Sequence, residues 1–257
     1  MKEESGPGIK MNALLNFRDL GEAFSGAEKP LKKGIVFRTA NPDRLTRDDL
    51  KKLQSLNIRS VIDLRAPHEV DPKAVKIEGS QRISLPLDFQ GKTREKLKPV
   101  LRIKNYEEEV KKISQALYVE MLDAALPVFR NVLEILLQPG SCPALIHCQV
   151  GKDRTGIISA LLLLAMGADR QDIISDFMRS NDELIPFFKR SLLRRKILSF
   201  GFFPHRAVLF AVTVRRNNIE AVLDRVTDHY GGIEGYLSSS GFDLSQLPEL
   251  RNKLCSN

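Results

Sequence analysis

Cys148 and Arg154 stand six residues apart in the run HCQVGKDRTG (147–156), with Gly151, Lys152 and Asp153 between them. The apolar PALIHC precedes this run and the apolar RTGIISALLLLAMGA continues it, so it reads as a loop between a buried strand and a buried helix. In such a loop the backbone N–H groups face inward at the positive end of the helix dipole and receive an oxyanion. A thiol beneath those donors is stabilised as the thiolate and becomes a nucleophile. From the first helical turn, the planar guanidinium of Arg154 can fork two oxygens of a bound phosphate. Gly151 permits the tight, positive-φ backbone that the loop needs. A Walker A loop is excluded, because Ile146 stands where a glycine is required and Asp153 where Ser or Thr should follow the lysine.

Other segments must position this loop. KKGIVFRTA reads as a strand, and Thr46 as the N-cap of a helix through RDDLKKLQSL. IRSVIDLR and QRISLPLD read as further strands, the second stopping near Pro86. The helical periodicity from Tyr106 to Leu137 is too long for one ordinary helix, and Pro127 divides it. From Asp169 onward the chain is mostly helical. Alternation of strands and helices predicts an α/β fold, a three-layer sandwich with a largely parallel central sheet.

The 257 residues, 42% hydrophobic and 28% charged, suit one large core. We expect a tail at 1–10 and a single domain over 11–257, with an insertion at about 91–112 that folds over the site as a lid. The start lacks the apolar stretch of a secretory signal, and the run Ile157–Ala168 is too short to span a bilayer. Cys142, Cys148 and Cys255 form neither a disulfide framework nor a zinc-ligand pattern, and a Cys142–Cys148 disulfide is disfavoured. A reducing, cytoplasmic setting is the expectation, with export by a route lacking a recognisable signal left open. No metal or other cofactor is expected. The net charge of +8 favours anionic partners. Lys189, Arg190, Arg194, Arg195 and Lys196, interleaved with Leu192, Leu193 and Ile197, read as a solvated helix face or as a contact for an anionic membrane. Nothing resembles a nucleic-acid-binding motif.

The string Cys, five residues, Arg, Thr resembles the phosphate-binding loop of cysteine-dependent phosphatases. With NFRDLG (16–21), VFRTANPDRLT (36–46), VIDLR (61–65), FMRSND (177–182) and YGGIEGYLSSSGF (230–242), the chain resembles the bacterial tyrosine-phosphatase family related to mycobacterial phosphatase B. The resemblance runs nearly end to end. It implies a dual-specificity-phosphatase-like fold and hydrolysis of phosphomonoesters, with phosphotyrosine proteins or phosphoinositides as substrates. Glu22 and Val150 depart from the family pattern, where a glycine and an alanine are common.

On this reading Cys148 is the nucleophile, passing through a phosphocysteine, and Arg154 binds phosphate with the loop residues His147, Gln149, Val150, Gly151, Lys152, Thr155 and Gly156. Thr155 either donates to the departing sulfur or simply starts the helix. Lys152 serves a polyanionic headgroup or is a solvated loop residue. His147 orients the loop, lowers the thiol pKa electrostatically, or is a buried structural histidine. The leaving oxygen needs a general acid. Asp88 leads for that role because the resemblance places an acid there, followed by Asp153, with Asp63 also in contention. The resemblance sets Asn16, Arg18 and Asp19 beside the site, although spacing alone reads them as a turn. A rhodanese-type sulfurtransferase and a catalytically silent phospho-ligand binding module are the alternatives.

Overall fold

The computed structural model describes residues 11–24, 29–200 and 202–256; the expected tail at 1–10 lies outside them. Five strands form one sheet: β1 (Arg18–Asp19), β2 (Val36–Thr39), β3 (Ser60–Asp63), β4 (Gln81–Ser84) and β5 (Ala144–His147). The helices are α1 (Arg47–Ser55), α2 (Gln90–Leu97), α3 (Tyr106–Ala124), α4 (Leu126–Leu137), α5 (Arg154–Ala165), α6 (Arg170–Leu198), α7 (His205–Val212), α8 (Arg216–Asp228), α9 (Ile233–Ser239) and α10 (Leu247–Leu254). Pro127 sits in the first turn of α4, the position where a missing N–H costs nothing, and so divides the long helical stretch in two.

The spatial order is β1-β2-β5-β3-β4, antiparallel only at β1–β2. β5 therefore lies centrally, parallel to neighbours on both sides, and the loop that leaves it opens at the carboxyl edge of the sheet. Crevices for ligands form at such switch points. Alternation along the strands sends Val36, Ile62 and Ile146 into a core shared with α3, α4 and α5, and Phe37, Val61 and Leu145 into a smaller one against Leu53 of α1. These are the three layers, and they are unequal: α1 covers one face, and the larger helical mass covers the other.

α1 also steers the segment that enters the site. Thr46 and Asp49 form a capping box. The same Asp49 carboxylate accepts from the backbone N–H groups of Asn12 and Ala13, at 2.6 and 2.9 Å, which fixes the path of the chain toward Asn16. At Glu22 the turn forms regardless of the missing glycine. Asp19 caps it by accepting from Gly21 N–H, and Glu22 reaches Arg179.

The stretch expected as an insertion at 91–112 is two things. Residues 90–102 form α2 and a 3-10 turn at the mouth of a cavity, whereas residues from Tyr106 onward belong to α3, which buries Val110 and Leu117 in the domain. Thr46→Ala should lower unfolding free energy by about 1 kcal/mol in chemical denaturation, because it removes one half of the capping box.

Candidate active site

Gly151 decides the shape of the loop after β5. Its φ is +72°, and a side chain there would place its first carbon 2.4 Å from the carbonyl oxygen of Thr39. The backbone of the loop thus lies directly on β2. Asn16 Nδ2 and Arg38 Nη2 donate to the Gly151 carbonyl at 2.7 and 2.9 Å. Because the peptide is planar and trans, holding that carbonyl outward turns the Lys152 N–H inward. The Gly151 N–H donates to Cys148 Sγ at 3.3 Å. Cys148 is buried at the start of the loop, six residues before Arg154 opens α5.

Two buried arginines that are cross-strand partners, Arg18 and Arg38, back this arrangement. Opposed like charges are destabilising, and Asp176 of α6 stands between them. Its carboxylate meets Arg18 Nε and Arg38 Nη1, both at 2.6 Å. Burial alone would push the Asp176 carboxyl up, but the two guanidiniums outweigh it and hold it at about 2. Asn16, with φ of 58°, accepts from Arg18 through Oδ1 and donates its backbone N–H to Glu183 at 2.6 Å. Asp19 is not brought to the loop: its oxygens accept from Gly21 and Gly34 N–H, a structural role.

Arg154 begins α5 and is held by Glu69, with Nη1–Oε2 at 2.5 Å and Nη2–Oε1 at 2.8 Å. Burial opposes the Glu69 charge, and the Arg154 guanidinium overcomes it, drawing the carboxyl below its ordinary value. Glu69 thus restricts the rotamers of the guanidinium while occupying both of its terminal nitrogens.

Cys148, Gln149, Val150, Lys152, Asp153 and Arg154 line one cavity of about 500 Å³. α2, the turn after it and α7 form its other walls. Asp153 accepts from the Tyr118 hydroxyl and, at 3.0 Å, from Lys152 Nζ. Burial and that carboxylate push the tyrosine hydroxyl well above its ordinary pKa, so it stays a donor. Lys152 is nearly buried rather than a solvated loop residue.

Asp88 is exposed and is not part of this lining, although its carboxylate lies within 4.8 Å of a Glu69 oxygen and a His68 ring nitrogen. Of the three candidate acids, only Asp153 lines that cavity. Asp63 is buried. Burial would raise it, but Arg65 and Arg82 hold it as an anion with a pKa of about 2, without a proton to give near neutrality. Burial drives His147 down to about 4 against the attraction of Asp63. The imidazole is therefore neutral and brings no positive charge to the loop. Its Nδ1 lies 3.4 Å from the Cys148 carbonyl, within reach to orient the loop. Thr155 Oγ1 is buried without a hydrogen-bond partner among the described residues. Gly156 lets α5 approach α6, since a side chain there would meet the Phe177 ring at 2.9 Å.

Cys142 and Cys148 flank β5 at opposite ends. Six extended residues separate them by roughly 20 Å at about 3.3 Å each, well past the ~7 Å Cα limit for a disulfide; all three cysteines are free. Among the described residues one cluster, His68, Glu69 and Asp88, has metal-ligand types in reach of one another. Both Glu69 oxygens are engaged by Arg154, which leaves two donors.

Compared with known proteins, residues 9–256 match the model of a family described as "Tyrosine phosphatase family". The chain belongs to the tyrosine phosphatase family. It is 26% identical over 246 residues to a Cupriavidus necator protein named "putative tyrosine-protein phosphatase", covering 93% of this chain and 86% of that one. It is 27% identical to the triple specificity protein phosphatase PtpB of Mycobacterium tuberculosis, covering 93% and 96%. A tyrosine-protein phosphatase of Nostoc commune is 28% identical, with 84% and 73% covered.

Sequence reasoning missed four residues of this phosphatase's site: Arg38, Glu69, Tyr118 and Asp176. Arg38 carried a signal, a charge inside the apolar run Val36–Phe37, which asks for a buried partner. The others lie on distant elements and carried none. Gly151→Ala should destabilise the loop, costing about 1–3 kcal/mol of stability by thermal unfolding. Asp176→Asn leaves two buried cations poorly paired and should cost about 3–5 kcal/mol. The Asp176 contribution is present above the ordinary carboxylate range and lost as pH falls through about 2. Acid titration of stability in the variant should accordingly be shallower between about pH 4 and pH 2.

Proposed function

We propose that the protein hydrolyses phosphomonoesters of proteins, phosphotyrosine foremost, through a phosphocysteine. The observation that carries this reading is the convergence of Cys148, Arg154 and Asp153 on one cavity whose floor is an anion-binding loop. The Cys148 thiolate attacks phosphorus in line with the ester oxygen. The S–P bond forms, the P–O bond breaks, and Asp153 gives its proton to the leaving oxygen. Water deprotonated by Asp153 then attacks phosphorus, which releases inorganic phosphate and restores the thiolate. Loop N–H groups and Arg154 hold the equatorial oxygens throughout, the interaction expected to supply the largest share of rate. For the Arg154 fork to reach the phosphate, Glu69 must share or yield it.

Residues 90–102 act in this proposal as a lid over the cavity. A reducing compartment keeps Cys148 from oxidation. A second substrate class, phosphoinositides, is favoured by one observation: Arg94, Lys98, Lys152 and Arg195 line the same cavity, with Asp153 as its acid. That excess of cations suits a headgroup bearing several phosphates. The name of the M. tuberculosis relative, a triple specificity phosphatase, supports breadth of substrate. Membership of the tyrosine phosphatase family weighs against the sulfurtransferase alternative.

Phosphate release should be measured from a phosphotyrosine peptide, a phosphothreonine peptide and mono- and polyphosphorylated phosphoinositides. Cys148→Ser should abolish release from all of them; substantial residual turnover would overturn the nucleophile assignment. Asp153→Asn should slow esters with poor leaving groups by about 10²–10⁴-fold and activated aryl phosphates far less. The same split in Asp88→Asn, with Asp153→Asn unaffected, would transfer the role to Asp88.

A further inference from the structure

The most exposed large apolar residues of the described chain gather at the end of α6 and in the turn that leads to α7. Ile197, Leu198, Phe200 and Phe202 are 68, 80, 92 and 90% exposed. Hydrogen bonds tie described residues on either side of this turn. The Ser199 hydroxyl donates to the Lys196 carbonyl at 3.0 Å and accepts from the Phe203 N–H at 3.1 Å. Phe200 holds φ of +51°, a left-handed conformation that a phenylalanine keeps only where its surroundings impose it. Apolar side chains clustered outward in this way mark an interaction surface.

The charge around the turn selects what it meets. Arg194 and Arg195 are exposed at the end of α6 beside the half-buried Lys196, and none of the three has an ion-pair partner among the described residues. Next to Phe202 runs a groove of about 530 Å³ lined by Leu101, Ile103 and Tyr106 together with Arg102 and Arg206, and no acidic residue contributes to it. A second copy of this chain would oppose these cations to one another. An anionic bilayer meets both features, taking apolar tips into the boundary of its acyl chains and cations among its headgroups.

We propose that the α6–α7 turn is an interfacial anchor that docks the protein on an anionic lipid bilayer. Leu101 lines both the groove and the cavity above Cys148, and Phe203, which follows Phe202, lines the cavity too. Docking therefore brings the mouth of the cavity to the headgroup layer. Only this last consequence, access to a phosphate carried by a lipid, rests on the phosphatase reading.

The test is co-sedimentation of the full chain with vesicles of phosphatidylcholine alone or mixed with phosphatidylserine, at low and high salt. Binding should require phosphatidylserine and weaken as salt screens the cations. The double variants Leu198→Ser with Phe200→Ser, and Arg194→Glu with Lys196→Glu, should each bind at least about tenfold less. The first should hydrolyse a soluble aryl phosphate at the unaltered rate, which shows an intact fold. Vesicle binding of the variants equal to that of the parent would overturn the proposal. So would a dimer in gel filtration that the Leu198/Phe200 variant abolishes, since the turn would then be a self-association surface. Cys148→Ser should bind vesicles like the parent, so a failure of docking and a failure of the catalytic reading give different results.

Discussion

The Gly151 carbonyl, held outward by Asn16 and Arg38, is the contact on which the rest of the site depends. A six-residue loop that presents donors to an anion must point its carbonyls elsewhere, and each carbonyl so displaced needs a partner away from water. Here the partners come from a turn ahead of β1 and from the middle of β2. Charge then has to be balanced: a buried guanidinium aimed at a carbonyl keeps most of its positive charge uncompensated. Asp176 compensates it, and Arg18 locks Asp176 from the other side. Three elements far apart in the chain thus converge behind one peptide group.

A second ionic system lies along the connection after β3. Arg65 pairs with the buried Asp43 and Asp63, the exposed Arg82 of β4 reaches Asp63, and Glu69 further along grips Arg154. One system holds the loop at Gly151 and the other holds Arg154, where α5 begins. Cys148 opens the loop with the Gly151 N–H directed at its sulfur. The thiol accepts that N–H and is packed into the main core. Donors fixed in this way suit the nucleophile that we propose Cys148 to be.

The helical half of the chain adds the walls. α3 contributes Tyr118 to Asp153, α6 contributes Asp176 behind the loop and Arg195 at the cavity, and α7 closes the side opposite α2. One long helix therefore runs from Asp176 behind the loop, past Pro186, to the exposed apolar turn that we propose meets lipid.

Much of this was legible in the sequence because it is local. The strand, loop and helix around HCQVGKDRTG follow from hydrophobic runs and one glycine, the start of α1 from Thr46 as its N-cap, and the break between α3 and α4 from Pro127. Resemblance of the quoted motifs identified the family without any contact being known. Tertiary structure alone decided what depends on pairing across the chain. It set Asp153 rather than Asp88 in the cavity, made His147 neutral through burial, kept Asp63 ionised between arginines, and joined Glu69 to Arg154 and Asp176 to Arg38. The physical reason is common to all of these. Periodicity and turn chemistry act over a few residues and are written into the order of the chain, whereas the state of a charge is set by burial and by neighbours that only the folded sheet brings within a few ångströms.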